Sequence, residues 1–238
     1  MGGVAAEALV RMGVGALTIV DHDRYAQTDS NRQLHCTSKT VGAPKIAVVG
    51  EKLLDVNPQL HLVRHDRVDA PSVDSIVAPC DLVINGMDDV RASIALERAA
   101  RRLGKTIVDA WLTPYASVFV MTPASPHWEE FLSFPTQHKP VEAITRDDVI
   151  ECLRREIRFT LSQFHPYEIL TEVITGNRPR PSLVPCVWLY GVLMANEAMK
   201  LITNQGRIST HWGVFYNQYD HEMRFFDAHG ECSGAFGR

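Results

Sequence analysis

Four charged residues stand where a nucleotide could be handled: Asp21, Arg32, Lys45 and Asp88. Asp21-His22-Asp23 follows the apolar run Ala16–Val20, and Lys45 follows Gly42-Ala43-Pro44. Arg32 and Gln33 close the stretch Ser30-Asn31-Arg32-Gln33, and Asp88 follows Asp81–Asn85 in the sequence DLVINGMDD. In open α/β sheets ligands sit at the carboxyl ends of the strands, so residues just beyond each strand carry the chemistry. An acidic residue such as Asp21 there can accept hydrogen bonds from a ribose diol, or it is simply a solvated turn. Lys45 opens a helix, where free amides and the dipole favour an anion, and Arg32 presents a fork that suits a phosphate. Surface arginines and lysines are usually only solvated, so neither decides anything alone. Asp88 can hold Mg²⁺ between phosphate oxygens, or cap the helix after it. Gly2-Gly3, ahead of the first helix, fits a backbone cradle for phosphates but is weak evidence by itself.

The elements that must position these residues alternate. Short apolar runs give strand candidates at Ala16–Val20, Gln59–Arg64, Asp81–Asn85, Lys105–Ala110 and Ser117–Met121, with a closing hairpin at Gly213–Tyr216 and Met223–Phe226. Between them, apolar residues near 3.6 spacing mark helices: Val4 to Met12 before Gly13, Ile46 to Val56 before Asn57-Pro58, and Val90 to Leu103 before Gly104. Strand–helix alternation of this kind predicts a Rossmann-like α/β fold, a mostly parallel sheet with helices on both faces. After about residue 123 the rhythm changes. Pro123, Pro126, Pro135 and Pro140 punctuate an irregular stretch, and a helix starts at Thr145, where Thr145 and Asp148 have the spacing of a capping box. The chain therefore divides into a nucleotide-binding core over 1–123, a helical insertion over 124–184, and a returning helix with terminal strands over 185–238.

Composition narrows the class. The 238 residues carry 24 Lys plus Arg against 28 Asp plus Glu, a net charge of −4, so there is no overall electrostatic footprint for nucleic acid. Apolar residues make up 45% and charged residues 22%, which excludes wholesale disorder. Five cysteines, at 36, 80, 152, 186 and 232, form no C-x-x-C pair, which disfavours a disulfide framework and a Cys-rich zinc site. No apolar run approaches the ~20 residues of a membrane span and no signal peptide is evident, so a cytoplasmic protein is expected.

Taken in order, the stretches GGVAAEALVRMGVGALTIVDHD, DSNRQLHC, TVGAPK, Asn57-Pro58, DLVINGMDD and the A-x-E-A-x-K-L pattern from Ala195 to Leu201 resemble the ThiF/MoeB-like family, bacterial relatives of ubiquitin-activating enzymes. The resemblance covers about residues 2–123 and 184–204. It implies an adenylyltransferase that uses ATP and Mg²⁺ to activate a carboxylate as an acyl-adenylate, releasing pyrophosphate. The acceptor implied is the C-terminus of a ubiquitin-like sulfur carrier or a peptide. By motif position Gly2 and Gly3 would form part of the phosphate loop, Asp21 would hold the ribose, and Asn31 would line the nucleotide site. Arg32, Gln33 and Lys45 would meet the phosphates, and Asp88 would carry the metal. Relatives are commonly homodimers, so a dimer is implied too. The chemistry needs mainly positioning and charge neutralisation, and no general base, because a carboxylate is already ionised at neutral pH.

The chain departs from the family pattern in four places. The family's first strand and half of its phosphate loop precede the point where this sequence starts, at Met1-Gly2-Gly3. Asp29 replaces a usual Asn, which places a negative charge near the phosphates, and Asn85 stands where a carboxylate is common. The paired C-x-x-C motif is missing, so no structural zinc is expected. Some relatives capture the activated acyl group on a cysteine; here Cys152 and Cys186 are the candidates, or they are buried small hydrophobes. Two other functions remain open. A tRNA threonylcarbamoyladenosine dehydratase-like enzyme would show salt-sensitive nucleic-acid binding. A non-catalytic binding module would not turn over ATP.

Overall fold

The architecture is that of a computed structural model, which describes residues 1–111, 116–162, 172, 177, 182–206, 212–218 and 220–227. Cys232 and the Arg178–Pro181 break lie outside them. Helix α1 (Gly2–Arg11) leads into β1 (Ala16–Val20), a 3₁₀ turn (Gln27–Asn31), α2 (Lys45–Val56) and β2 (His61–His65). Next come α3 (Val73–Val77), β3 (Leu82–Ile84), α4 (Val90–Arg102), β4 (Thr106–Asp109) and β5 (Ala116–Met121). Then α5 (Trp128–Phe131), a 3₁₀ turn (Val141–Ala143) and α6 (Arg146–Ser162) fill the segment expected to be helical. Helix α7 (Val184–Thr203) returns to the sheet, and β6 (Trp212–Asn217) and β7 (Glu222–Asp227) form the closing hairpin.

The α/β class is as expected, but the sheet is less parallel than its rhythm suggests. β1 pairs parallel with β2, and β3 parallel with β4. The pairings β4–β5, β5–β6 and β6–β7 are antiparallel. A parallel crossover needs a dozen or more residues, and the short link from β4 to β5 cannot supply one, so β5 must turn back. Among the described residues no ladder joins β1 to β3, which leaves a two-stranded and a five-stranded sheet. Leu17 of β1 nevertheless shares a cluster with Leu82 and Ile84 of β3, bridged by Leu9 of α1 and Ala195 and Ala198 of α7.

Side-chain alternation assigns the two faces of the larger sheet. Ile107, Phe119, Met121 and Phe215 point to one core with Leu96 and Ala99 of α4, Trp128 and Cys152. Their neighbours Val108, Val118 and Val120 point to the other, against Ala5 of α1 and Tyr190 and Met194 of α7. All six residues of β5 are buried, as a strand covered on both sides requires. Helix α1 lies so close to α7 that a Cβ on Gly191 would come within 2.5 Å of Val4 Cβ. Local signals place the helix ends. Asp89 caps α4 by accepting from the Arg91 and Ala92 amides. At α6 the Thr145 hydroxyl accepts from the Asp148 amide while the Asp148 carboxylate accepts from the Thr145 amide, a closed capping box.

Candidate active site

The four residues expected to meet a nucleotide all lie within electrostatic reach of the start of α1. The Met1 amine there is buried. Burial, with the charges of Arg32 and Lys45, lowers its pKa to about 6 against the opposing pull of Asp21 and Asp88. Positive and negative members of the set therefore act on one point in space. Gly2 and Gly3 form the first turn of α1, where amides lack intrahelical acceptors, and a Cβ on Gly2 would meet nothing within 4 Å.

Each cation is held by a carboxylate of its own. Lys45, at the first position of α2, donates from Nζ to Asp23 Oδ2 at 2.8 Å, and its amide donates to the Asp23 carbonyl at 2.8 Å. Burial works against the Lys45 charge, but the Asp23 hydrogen bond and the fields of Asp21, Asp23 and Asp29 outweigh it and raise the pKa. Asp21 is half-buried; burial raises its pKa, while its Oδ1 accepts from the Asp23 amide. Asp29 lies beside both cations: it pairs with Arg32 and its charge reaches Lys45. Its buried carboxylate accepts from the Ala26 amide, Arg32 Nη2 and Gln33 Nε2, so it organises the 3₁₀ turn and aligns the two side chains. Asn31 donates to the Ser182 carbonyl, and the Arg32 carbonyl accepts from Trp188 Nε1 at 2.9 Å, which ties this turn to the start of α7. Trp188 is thus an exposed tether rather than core filling.

Asp88 is exposed, and among the described residues its carboxylate makes no hydrogen bond or ion pair; the capping role falls to Asp89. The loop that carries Asp88 touches the first turn of α1 through Gly86, where a Cβ would stand 3.0 Å from the Gly2 α-carbon. Among the described residues no group of three His, Cys, Asp or Glu side chains could hold a metal alone. A single free carboxylate beside a phosphate cradle does fit Mg²⁺, which typically binds through one or two carboxylates plus phosphate oxygens.

Behind Asp88 opens a cavity of about 530 Å³, counted to its solvent mouth, which the sequence reading missed. Asn85, Glu97, Asp109, Trp111, Trp128 and Glu156 are among the residues lining it. Asp109 Oδ2 accepts from Trp128 Nε1 at 2.7 Å and from Asn85 Nδ2 at 3.2 Å, and its Oδ1 accepts from the Ala110 amide. Burial still pushes Asp109 up to about 7. Glu97 is buried as deeply; desolvation and the Asp109 and Glu129 charges raise its pKa. Two signals pointed to this site: Asp109 ends a parallel strand, and Glu97 lies on the inward helical stripe of Val90 and Ile94. The cysteines carry no nucleophile signal. Cys152 and Cys186 are fully buried, and burial pushes the Cys152 thiol up to about 11.

The elements and pairings together define a Rossmann-like α/β protein whose first helix begins with two glycine amides that lack helical acceptors. The ThiF family model matches residues 1–233, and the chain belongs to that family. It is 35% identical over 104 residues to the tRNA threonylcarbamoyladenosine dehydratase of Escherichia coli, covering 43% of this chain and 39% of that protein. It is 32% identical over 101 residues to a sulfur carrier protein adenylyltransferase of Thermus thermophilus, covering 42% of this chain and 37% of that protein. The chain thus matches about two fifths of these relatives' lengths. The fold matches a crystal structure of E. coli MccB with ATP at a TM-score of 0.68 and 14% identity, covering 98% of this chain and 63% of that one. PaaA matches at 0.66 and 14% identity, over 97% and 62% of the two chains.

Proposed function

We propose that this chain binds ATP and Mg²⁺ and transfers the adenylyl group to a carboxylate, that of a peptide or a ubiquitin-like sulfur carrier. What supports the reading is that Arg32, Lys45, Asp21 and Asp88 all act electrostatically on the start of α1, where the Gly2 and Gly3 amides lack helical acceptors. Family membership supports it, as does the ATP bound by MccB, a protein of like fold. In this reading the Gly2 and Gly3 amides and the Arg32 and Lys45 side chains bind the phosphates, with Gln33 beside them. Asp21 and Asn31 line the ribose side. Asp88 holds Mg²⁺, which when bound neutralises charge on the phosphate oxygens. Lys45 and Arg32 leave Asp23 and Asp29 for a stronger anion, at small cost because the ion pairs are partly exposed. An acceptor carboxylate oxygen attacks the α-phosphorus in line. The bond to the bridging oxygen breaks and pyrophosphate leaves, with no proton to move. Residues 124–184 form an insertion that selects the acceptor. The protein works in the cytoplasm, as a homodimer.

Exchange of labelled pyrophosphate into ATP, dependent on a candidate acceptor and lost in Asp88→Ala and Lys45→Ala, is the expected result. No exchange and no ATP binding would leave a binding module. The tRNA-directed reading is favoured by one observation, the identity to the dehydratases. It predicts binding to tRNA that weakens steeply between about 50 and 200 mM salt.

A further inference from the structure

The cavity behind Asp88 is lined by two buried carboxyl groups, Glu97 and Asp109, neither of which forms a hydrogen bond to a cation among the described residues, although the Arg101 charge reaches Glu97. Arg98 is taken up by Glu129, donating from Nε and Nη2 to its two oxygens at 2.7 and 2.8 Å. Arg101 is taken up by Glu130 and the Ser125 carbonyl. Asp109 receives three neutral N–H donors and no cation among the described residues. Glu97 is only 3% exposed, and its Oε2 has no hydrogen-bond partner among the described residues. The nearest basic group, His127 Nδ1, lies 3.9 Å away, too far for a hydrogen bond. Burial and Arg101 lower His127 to about 4, so it is neutral at physiological pH. A buried carboxylate oxygen without a donor is costly, and an isolated buried charge more so. The Trp111 and Trp128 rings, with centroids 3.9 Å apart, line the same cavity. Indole faces attract cations, and carboxylates accept the N–H groups of guanidinium or ammonium.

We infer that this cavity binds a positively charged nitrogen group of the acceptor, a guanidinium or an ammonium, held by Glu97 and Asp109 beside the Trp111 and Trp128 rings. The inference rests on the adenylation reading only in naming the ligand as part of the acceptor, whose carboxylate would then lie on the Asp88 side of the same opening. The acceptor is accordingly cationic, not only a bare C-terminal carboxylate.

The test is a titration of the full chain with Nα-acetylarginine amide, Nα-acetyllysine amide and the neutral Nα-acetylcitrulline amide, read on the indole N–H resonances of Trp111 and Trp128. One cationic amide should bind at least about tenfold more tightly than the citrulline amide, a difference of about 1.4 kcal/mol. The arginine and lysine arms decide between guanidinium and ammonium. In Glu97→Gln the preference should fall below about threefold. Equal responses to cationic and neutral amides overturn the inference, as does a preference that survives in Glu97→Gln. Should that variant fail to fold, the wild-type comparison decides alone. ATP added to the same samples, read on the Gly2 and Gly3 amides, separates the two claims. A cation preference without an ATP response overturns adenylation and leaves the cavity assignment. An ATP response without a cation preference does the reverse.

Discussion

Two sets of charges flank Asp88, and they are built in opposite ways. On one side Lys45 and Arg32 sit partly exposed on loops, each paired with a carboxylate one turn or one loop away. On the other, Glu97 and Asp109 are buried on a helix and a strand; Asp109 is supplied with N–H groups, Glu97 Oε2 with none, and neither hydrogen-bonds a cation among the described residues. The first arrangement stores little energy and releases its charges readily; the second is paid for by the surrounding core and awaits compensation. The difference teaches that charge beside α1 can be altered with little cost to the fold, whereas the carboxylates Glu97 and Asp109 lie within the packed layers and cannot.

Mutations can break or sharpen that contrast. The largest effect is expected from Trp128→Ala, which removes a ring packed on Trp111 and Phe119 and the donor to Asp109. Denaturant unfolding should show a loss of about 3–5 kcal/mol. Lys45→Ala on the exposed side should cost about 10–100-fold in ATP affinity by calorimetry while changing unfolding free energy by no more than about 1 kcal/mol. Were Lys45→Ala to unfold the protein, the separation of the two regions would fail.

The third prediction concerns pH. Glu97 has its pKa raised in the folded protein by burial and by Asp109 of β4 and Glu129 of α5, opposed by Arg101 and the Trp128 amide. Native Glu97 therefore keeps its proton where the unfolded chain has lost it, so its contribution to stability is full below the ordinary carboxylate pKa and is lost as pH rises toward the folded value. His127 and the Met1 amine, both lowered by burial, drive stability the other way. The difference between variants isolates Glu97. Glu97→Gln should melt with wild type near pH 5 and roughly 2–5 °C above it at pH 8. Melting temperatures that differ by the same amount at both pH values would refute the buried, donor-poor carboxylate. The smallest effect is expected from Asp23→Ala, which frees the Lys45 ammonium. Its cost in stability should be about 0–1 kcal/mol, and ATP affinity should move less than about threefold.

What could be read from the residues follows the range of the forces involved. β1 runs over Ala16–Val20 as its apolar run predicts, and the Thr145–Asp148 box forms because both partners lie within one turn. The five residues of α3 and four of α5 are too short to show a helical period. The antiparallel turns from β4 to β5 and from β6 to β7 follow from short links, whereas the pairing of β5 with the distant β6 is encoded by no local pattern. The partners of Asp29, the Ala26 amide and the side chains of Arg32 and Gln33, could not be read from the residues because they come together only once the turn closes. The cavity was hidden for a related reason: Glu97, Asp109 and Trp128 sit on three elements that meet only after the sheet is packed.

Gly86 has a consequence of its own. With so little room between it and the Gly2 α-carbon, the amide-bearing turn and the carboxylate-bearing loop are clamped like two jaws of one jig. Their separation is set during folding, so a ligand that spans the two would meet them already in place and lose less ordering entropy on binding. A single methyl group at that position would act as a shim, opening the jaws without altering any charge.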